Sequence, residues 1–139
     1  MKGFSIIEII VVIAIISIVG SVSMVTYNTM RKVGDAKHAT YVFVDALKEA
    51  KNKAKMMEGD TPWGVSILPP NIVVFSGSSY ASKLSEKNYT IPNNLTVSGP
   101  TEIVFAKLTG LPNNFGTTTF SNDFGTSSAY ILESGALGY

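Results

Sequence analysis

The amino-acid sequence predicts an α+β chain: one long N-terminal helix, apolar enough in its first half to span a membrane, packed on an antiparallel β-sheet region. Three observations carry that expectation. An almost unbroken apolar run opens at Phe4, an apolar stripe at helical spacing follows with no proline before Pro62, and after Gly59 the chain changes to short apolar runs divided by turn residues. A helix stripe and a sheet face each need an apolar partner, and layering one on the other supplies it.

The first element is the run from Phe4 to Val19, which reaches the length of a membrane span once residues 20–27 are added. Glu8 interrupts it. A carboxylate inside such a span costs about 2.5–3.5 kcal/mol by insertion scales, so it is retained for a partner. Ahead of the run stand Met1, Lys2 and Gly3. Cleavage after Gly3 would leave a new amine on Phe4, about 6 Å of helix rise from Glu8, and a neighbouring chain shifted by about one turn could offer its amine instead. An intermolecular ion pair in lipid would reward assembly and set the axial stagger between subunits, because an unpaired charge in hydrocarbon is expensive.

Gly3, Phe4 and Glu8 in this arrangement resemble the type IV pilin and type II secretion pseudopilin family, whose members share a short basic leader ending in Gly, then Phe, then Glu at this spacing. Ile9 to Val19 continue the likeness as an apolar stem. The resemblance implies that Gly3-Phe4 is a prepilin peptidase cleavage site, that Phe4 becomes an N-methylated terminus which keeps its positive charge, and that Glu8 directs assembly. It implies a pilin-like layout with a leader at 1–3, a transmembrane and filament-core helix at 4–30, and a globular domain at 31–139. Within that domain an amphipathic helix at 31–58 would precede a β-sheet region at 61–139. The implied function is a structural subunit, a minor pilin or pseudopilin of a type IV pilus or type II secretion pseudopilus, and not an enzyme. Its partners would be other pilin or pseudopilin subunits, the prepilin peptidase, the inner-membrane assembly platform and, before assembly, membrane lipid. It would sit in the inner membrane as a single-pass protein and then in a periplasmic or cell-surface filament.

Other readings of the same residues stay open. Lys2, the run Ile6 to Val19 and the small-x-small triplet Ser21-Val22-Ser23 have the parts of a secretory signal peptide, although a carboxylate at the start of its apolar region works against insertion. The run could also be an ordinary single-span anchor with a stray acid, tethering a membrane-anchored extracytoplasmic binding module in residues 61–139. Only Lys2 and the initial amine are positive ahead of the run, whereas Arg31, Lys32 and Lys37 follow it. The positive-inside rule alone would put the C-terminal part in the cytoplasm, and the family resemblance implies the reverse.

The helix continues past the run. Val33, Ala36, Thr40, Phe43, Leu47, Ala50, Ala54 and Met57 recur at steps of three and four, one stripe of an amphipathic helix. From Phe4 to Met57 such a helix would extend about 80 Å. Gly20, Ser21 and Ser23 lower helix propensity and mark a point of bending. Many major pilins carry a proline a little beyond, and this chain has none near Val25. Lys48, Lys51, Lys53 and Lys55 precede Gly59 and Pro62, where cations complement the C-terminal macrodipole.

Trp63 to Leu68 reads as a strand, Pro69-Pro70-Asn71 as a turn and Ile72 to Phe75 as the hairpin mate. Ser76 to Lys87 reads as a loop, and the segments 89–91, 95–98, 102–108, 117–121 and 129–133 as further strands, six or seven in all. Phe105, Gly110, Pro112, Gly116 and Gly135 give the last third a likeness to the distal domain of the minor pseudopilins and minor pilins that cap or initiate filaments.

Composition excludes several chemistries. The formal charge is +1, and from Thr61 onward three lysines meet four acidic residues, which leaves no electrostatic footprint for nucleic acid. Some pilins of the distal-domain group bind DNA through basic residues near the C-terminus, but Glu133 to Tyr139 contains neither Lys nor Arg. With no cysteine and His38 the lone histidine, a Cys/His metal site and a His-based triad lack their parts. The disulfide that closes a distal loop in many pilins has no counterpart. Some major pseudopilins bind calcium in a distal loop, but Asn113, Asn114, Asn122 and Asp123 read first as turn formers. Trp63 reads as a core anchor. No catalytic residue, cofactor or metal is expected.

Overall fold

The computed structural model describes residue 3 and residues 5–139, with the side chains of residues 22–26, 28 and 29 outside that description. Helix α1 runs unbroken over Ile6–Lys55, 50 residues and about 75 Å. Eight strands follow: β1 Trp63–Leu68, β2 Asn71–Ser76, β3 Ser85–Thr90, β4 Thr96–Ser98, β5 Glu102–Phe105, β6 Gly116–Asn122, β7 Gly125–Ile131 and β8 Leu137–Gly138. They form two four-stranded antiparallel sheets, ordered β3-β2-β1-β5 and β4-β6-β7-β8. The α+β layout is therefore as expected, with two sheets under the helix where one was anticipated.

Two sheets explain why the buried face of α1 is wider than a single stripe. The helix packs on β1 and β2 of one sheet and on β6 and β7 of the other. Ala36, Thr40, Phe43, Leu47, Ala50 and Ala54 form the predicted centre, and Ala39, Val44 and Ala46 bury the flanks. Val33 and Met57, the predicted ends of the stripe, are 38 % and 39 % exposed. Small alanines let both sheets approach the helix axis, while Phe43 and Phe120 fill the centre with ring centroids 5.6 Å apart. Thr40 buries its hydroxyl by donating to the Ala36 carbonyl at 3.0 Å, so the buried polar group costs little.

The helix stops earlier than residue 58. Met57 takes a left-handed conformation with φ 56°, a place more often given to glycine. Burial ends at Ala54, so nothing beyond it rewards further turns. Trp63 then anchors the helix end, its indole N–H donating to the Glu58 carbonyl at 2.8 Å. Gly64 beside it is needed for space, because a Cβ there would lie 2.6 Å from the Phe75 ring across the hairpin.

Several strand boundaries depart from expectation. The segment Ser76 to Lys87 is a loop only in part, since β3 begins at Ser85 and pairs with β2 over six residues. Its side chains are almost all exposed, so backbone pairing and not an apolar alternation makes it a strand. The strand opening at Glu102 ends at Phe105, where the chain turns back so that the Ala106 N–H meets the Leu111 carbonyl at 2.8 Å. Of the segment 129–133 only residues 129–131 are strand, the end of β7, which starts four residues sooner at Gly125. At Gly20 and Ser21 the helix passes without interruption, and the Ser21 hydroxyl donates to the Ile18 carbonyl at 2.8 Å.

Candidate assembly site

Of the sequence-predicted site residues, Glu8 lies in the first turn of α1 and Gly3 ahead of it. Gly3 is exposed, and Met1, Lys2 and Phe4, which complete the leader and the amine, lie outside the described residues. Ser5 is the N-cap with extended backbone, and its carbonyl accepts from the Glu8 and Ile9 N–H groups at 3.1 and 3.3 Å. Glu8 thus stands in the first turn, where the helix dipole favours an anion. Ser5-Ile6-Ile7-Glu8 has the spelling of a capping box, a pattern that the family likeness overshadowed. The box is not made: the Ser5 side chain forms no cap bond. Among the described residues Glu8 has no ion-pair partner.

The surroundings of Glu8 are apolar. With Ile9, Val12 and Ile13 it lines a shallow groove along the stem. From Ile6 to Val19 the large aliphatic side chains are 49–78 % exposed, a continuous apolar surface of the kind that marks an interaction face. The Ser17 hydroxyl is satisfied by the helix itself, donating to the Ile13 carbonyl at 2.7 Å. Glu8 is the one charge between Phe4 and Met30.

Residues 1–24 match the family model of the prokaryotic N-terminal methylation motif. The chain carries a prepilin-type leader. No curated protein and no solved structure matches the chain. Among the described residues no helix offers a window long and apolar enough to cross a membrane.

Away from the leader, residues singled out in the sequence take other tasks. Lys51 does more than complement the dipole, since its ammonium donates to the Gly135 carbonyl at 2.6 Å. Gly110 and Gly135, with φ of 63° and 77°, meet over this lysine, and a Cβ on Gly135 would lie 3.1 Å from the Gly110 carbonyl oxygen. Phe105 bridges to Pro112. Asn113 and Asn122 serve the backbone: Asn113 Oδ1 accepts from the Val104 N–H at 2.8 Å, and Asn122 Oδ1 from the Phe124 and Gly125 N–H groups at 3.0 and 2.9 Å. His38 is exposed on α1, and Trp63 is buried under Lys53, whose ammonium lies 4.2 Å from the ring centroid.

A polar latch unforeseen in the sequence ties the edge strand β3 to α1. Glu49 accepts from Tyr89 and from Lys87, and Lys53 lies 3.7 Å from it. Partial burial pushes the Glu49 carboxyl up, but the Tyr89 and Lys87 hydrogen bonds and the charges of Lys87 and Lys53 outweigh it and hold the group below its usual value. A depressed carboxyl contributes stability that is present above its unfolded value of 4.5 and lost as pH falls through the lower folded value. With Lys87 well exposed, the effect is at most about 1 kcal/mol. Urea midpoints compared between about pH 6 and about pH 3 should fall less in Glu49→Gln than in the parent chain. An identical fall in both would exclude Glu49 as a contributor.

Proposed function

We propose that the chain is the precursor of a filament subunit, a minor pilin or pseudopilin of a type IV pilus or type II secretion pseudopilus, whose work is assembly and not catalysis. The observation that carries this reading is the motif at residues 1–24 joined to Glu8 in the first turn of an apolar stem. Prepilin peptidase would cut between Gly3 and Phe4, and Phe4 would be N-methylated as the new terminus. Residues 4–30 hold the precursor in the inner membrane as a single span, and residues 31–139 form the head outside it. During assembly Glu8 pairs with an amine at the growing base, and the stem leaves lipid for the filament core.

Energetics favour this order of events. In lipid the apolar stem has no hydrophobic reason to leave, so a polar contact must direct it. An ion pair formed between subunits removes the cost of the lone carboxylate, and the amine of each new chain supplies the counter-charge. The turn geometry around Phe105, Pro112, Gly110 and Gly135 supports the minor, filament-capping subgroup.

The reading is tested on filaments sheared from cells that produce the chain natively, with subunits counted by quantitative mass spectrometry. The chain should be present, in far fewer copies than another pilin-like subunit. Recovery from membranes but never from filaments would overturn the proposal in favour of a tethered binding module.

A further inference from the structure

The lower rim of the head, where it meets the stem, holds features that filament assembly leaves unused. Three segments converge there: α1 at residues 30–35, the β3–β4 loop at residues 92–94 and the β6–β7 turn at residues 122–124. Each loop is tied to the helix at one level. Asn94 Nδ2 donates to Asp35 Oδ2 at 3.3 Å, and Asn122 Nδ2 donates to the Lys32 carbonyl at 2.7 Å. The Asn122 turn presents Phe124 outward, 42 % exposed, with the Lys32 ammonium 4.5 Å from its ring centroid. Beside it opens a cleft of about 430 Å³ lined by Arg31, Lys32, Asp35, Pro92, Asn93 and Asn94.

Height along α1 indicates what the rim meets. Tyr27 stands about 32 Å of helix rise from Ile6, and Lys32 about 39 Å. A bilayer is about 30 Å thick in hydrocarbon and about 40–45 Å with its headgroups. With the stem in lipid, Tyr27 reaches the far hydrocarbon boundary, and Arg31, Lys32 and Phe124 fall in the headgroup layer. That layer favours aromatic rings and long basic side chains, which keep their stems in the apolar zone and their charge among phosphates. Asp35 is engaged by Asn94, and Asp123 lies exposed at the turn tip. Among the described residues neither Arg31 nor Lys32 has an ion-pair partner.

We infer that this rim is a docking surface for an anionic phospholipid layer, with Arg31 and Lys32 on lipid phosphates and Phe124 seated among the headgroups, so that the head rests on the membrane before assembly. The inference rests on the membrane-anchored stage of the proposed function. It gives the basic residues that oppose the charge rule for topology a local use, since attraction to acidic headgroups decays within a Debye length.

The chain has no cysteine, so single labels are unambiguous. The full chain is reconstituted in phosphatidylcholine vesicles with or without phosphatidylglycerol, carrying a fluorophore at Asp123→Cys, at Ser79→Cys far from the rim, or at Ile13→Cys in the stem. A headgroup-attached quencher should act severalfold more strongly on the label at 123 than at 79. That excess should fall when phosphatidylglycerol is omitted or when Arg31→Gln and Lys32→Gln are combined. Equal quenching at 123 and 79, or an excess indifferent to lipid charge and to both substitutions, overturns the docking surface. An acyl-chain quencher that fails to reach the label at 13 overturns the membrane-anchored stage itself, and the docking surface with it.

Discussion

Replacing Glu8 with valine is expected to leave the protein in the membrane and remove it from filaments. Valine is apolar, so insertion becomes easier by about the 2.5–3.5 kcal/mol that a charge costs in the span. Assembly loses the counter-charge for an incoming amine, and breaking one side of a buried ion pair costs about 3–5 kcal/mol. At about 1.4 kcal/mol per decade, incorporation should fall by about two to four orders of magnitude. Membrane fractionation and immunoblotting of sheared filaments read the two effects separately. Glu8→Gln, which keeps the shape and loses the charge, should behave alike. Wild-type incorporation of either variant would remove the proposed role of the carboxylate, which no local cap or described ion pair occupies.

Phe43→Ala carries the second large effect, on the head. Phe43 is fully buried where α1 meets the second sheet, edge-on to Phe120 with 64° between the ring planes. Truncating a buried phenylalanine costs about 3–5 kcal/mol, and the ring pair is lost as well. A small domain has about 5–15 kcal/mol in total, and without cysteine no disulfide limits the unfolded chain. Urea unfolding followed by Trp63, the sole tryptophan, should show a midpoint far below that of the parent chain. Phe43→Leu, which keeps most of the volume, should recover the larger part. A loss under about 1 kcal/mol for the alanine variant would mean that this ring does not hold α1 to the second sheet.

Local signals in the sequence carried the stem, the first hairpin and the leader. An apolar run, a Pro-Pro-Asn turn between β-branched residues and a Gly-Phe-x-x-x-Glu spacing are each read from one contiguous stretch. What escaped depends on partners far along the chain. Strand β3 is polar on both faces and exists because β2 lends it a backbone ladder. The first half of β7, Gly-Thr-Ser-Ser, has a turn-like composition, yet it pairs with β6 through the register Thr119 to Ser128. The extra buried flank of α1 follows from a second sheet that local periodicity does not report. Lys51 reads as a dipole complement, and its carbonyl partner is 84 residues away. Within the site, the unmade capping box at Ser5 was written in the sequence and was missed, because a Ser-x-x-Glu spelling is identical whether or not the side chains close on each other.

The central claim is that proteolysis after Gly3 creates the amine against which Glu8 assembles. Intact-mass and N-terminal peptide mass spectrometry of the native protein, taken from filaments and from membranes, tests it directly. The filament form should begin at a methylated Phe4. A filament form that retains Met1 to Gly3, or a mature protein that begins at Met24, would contradict it.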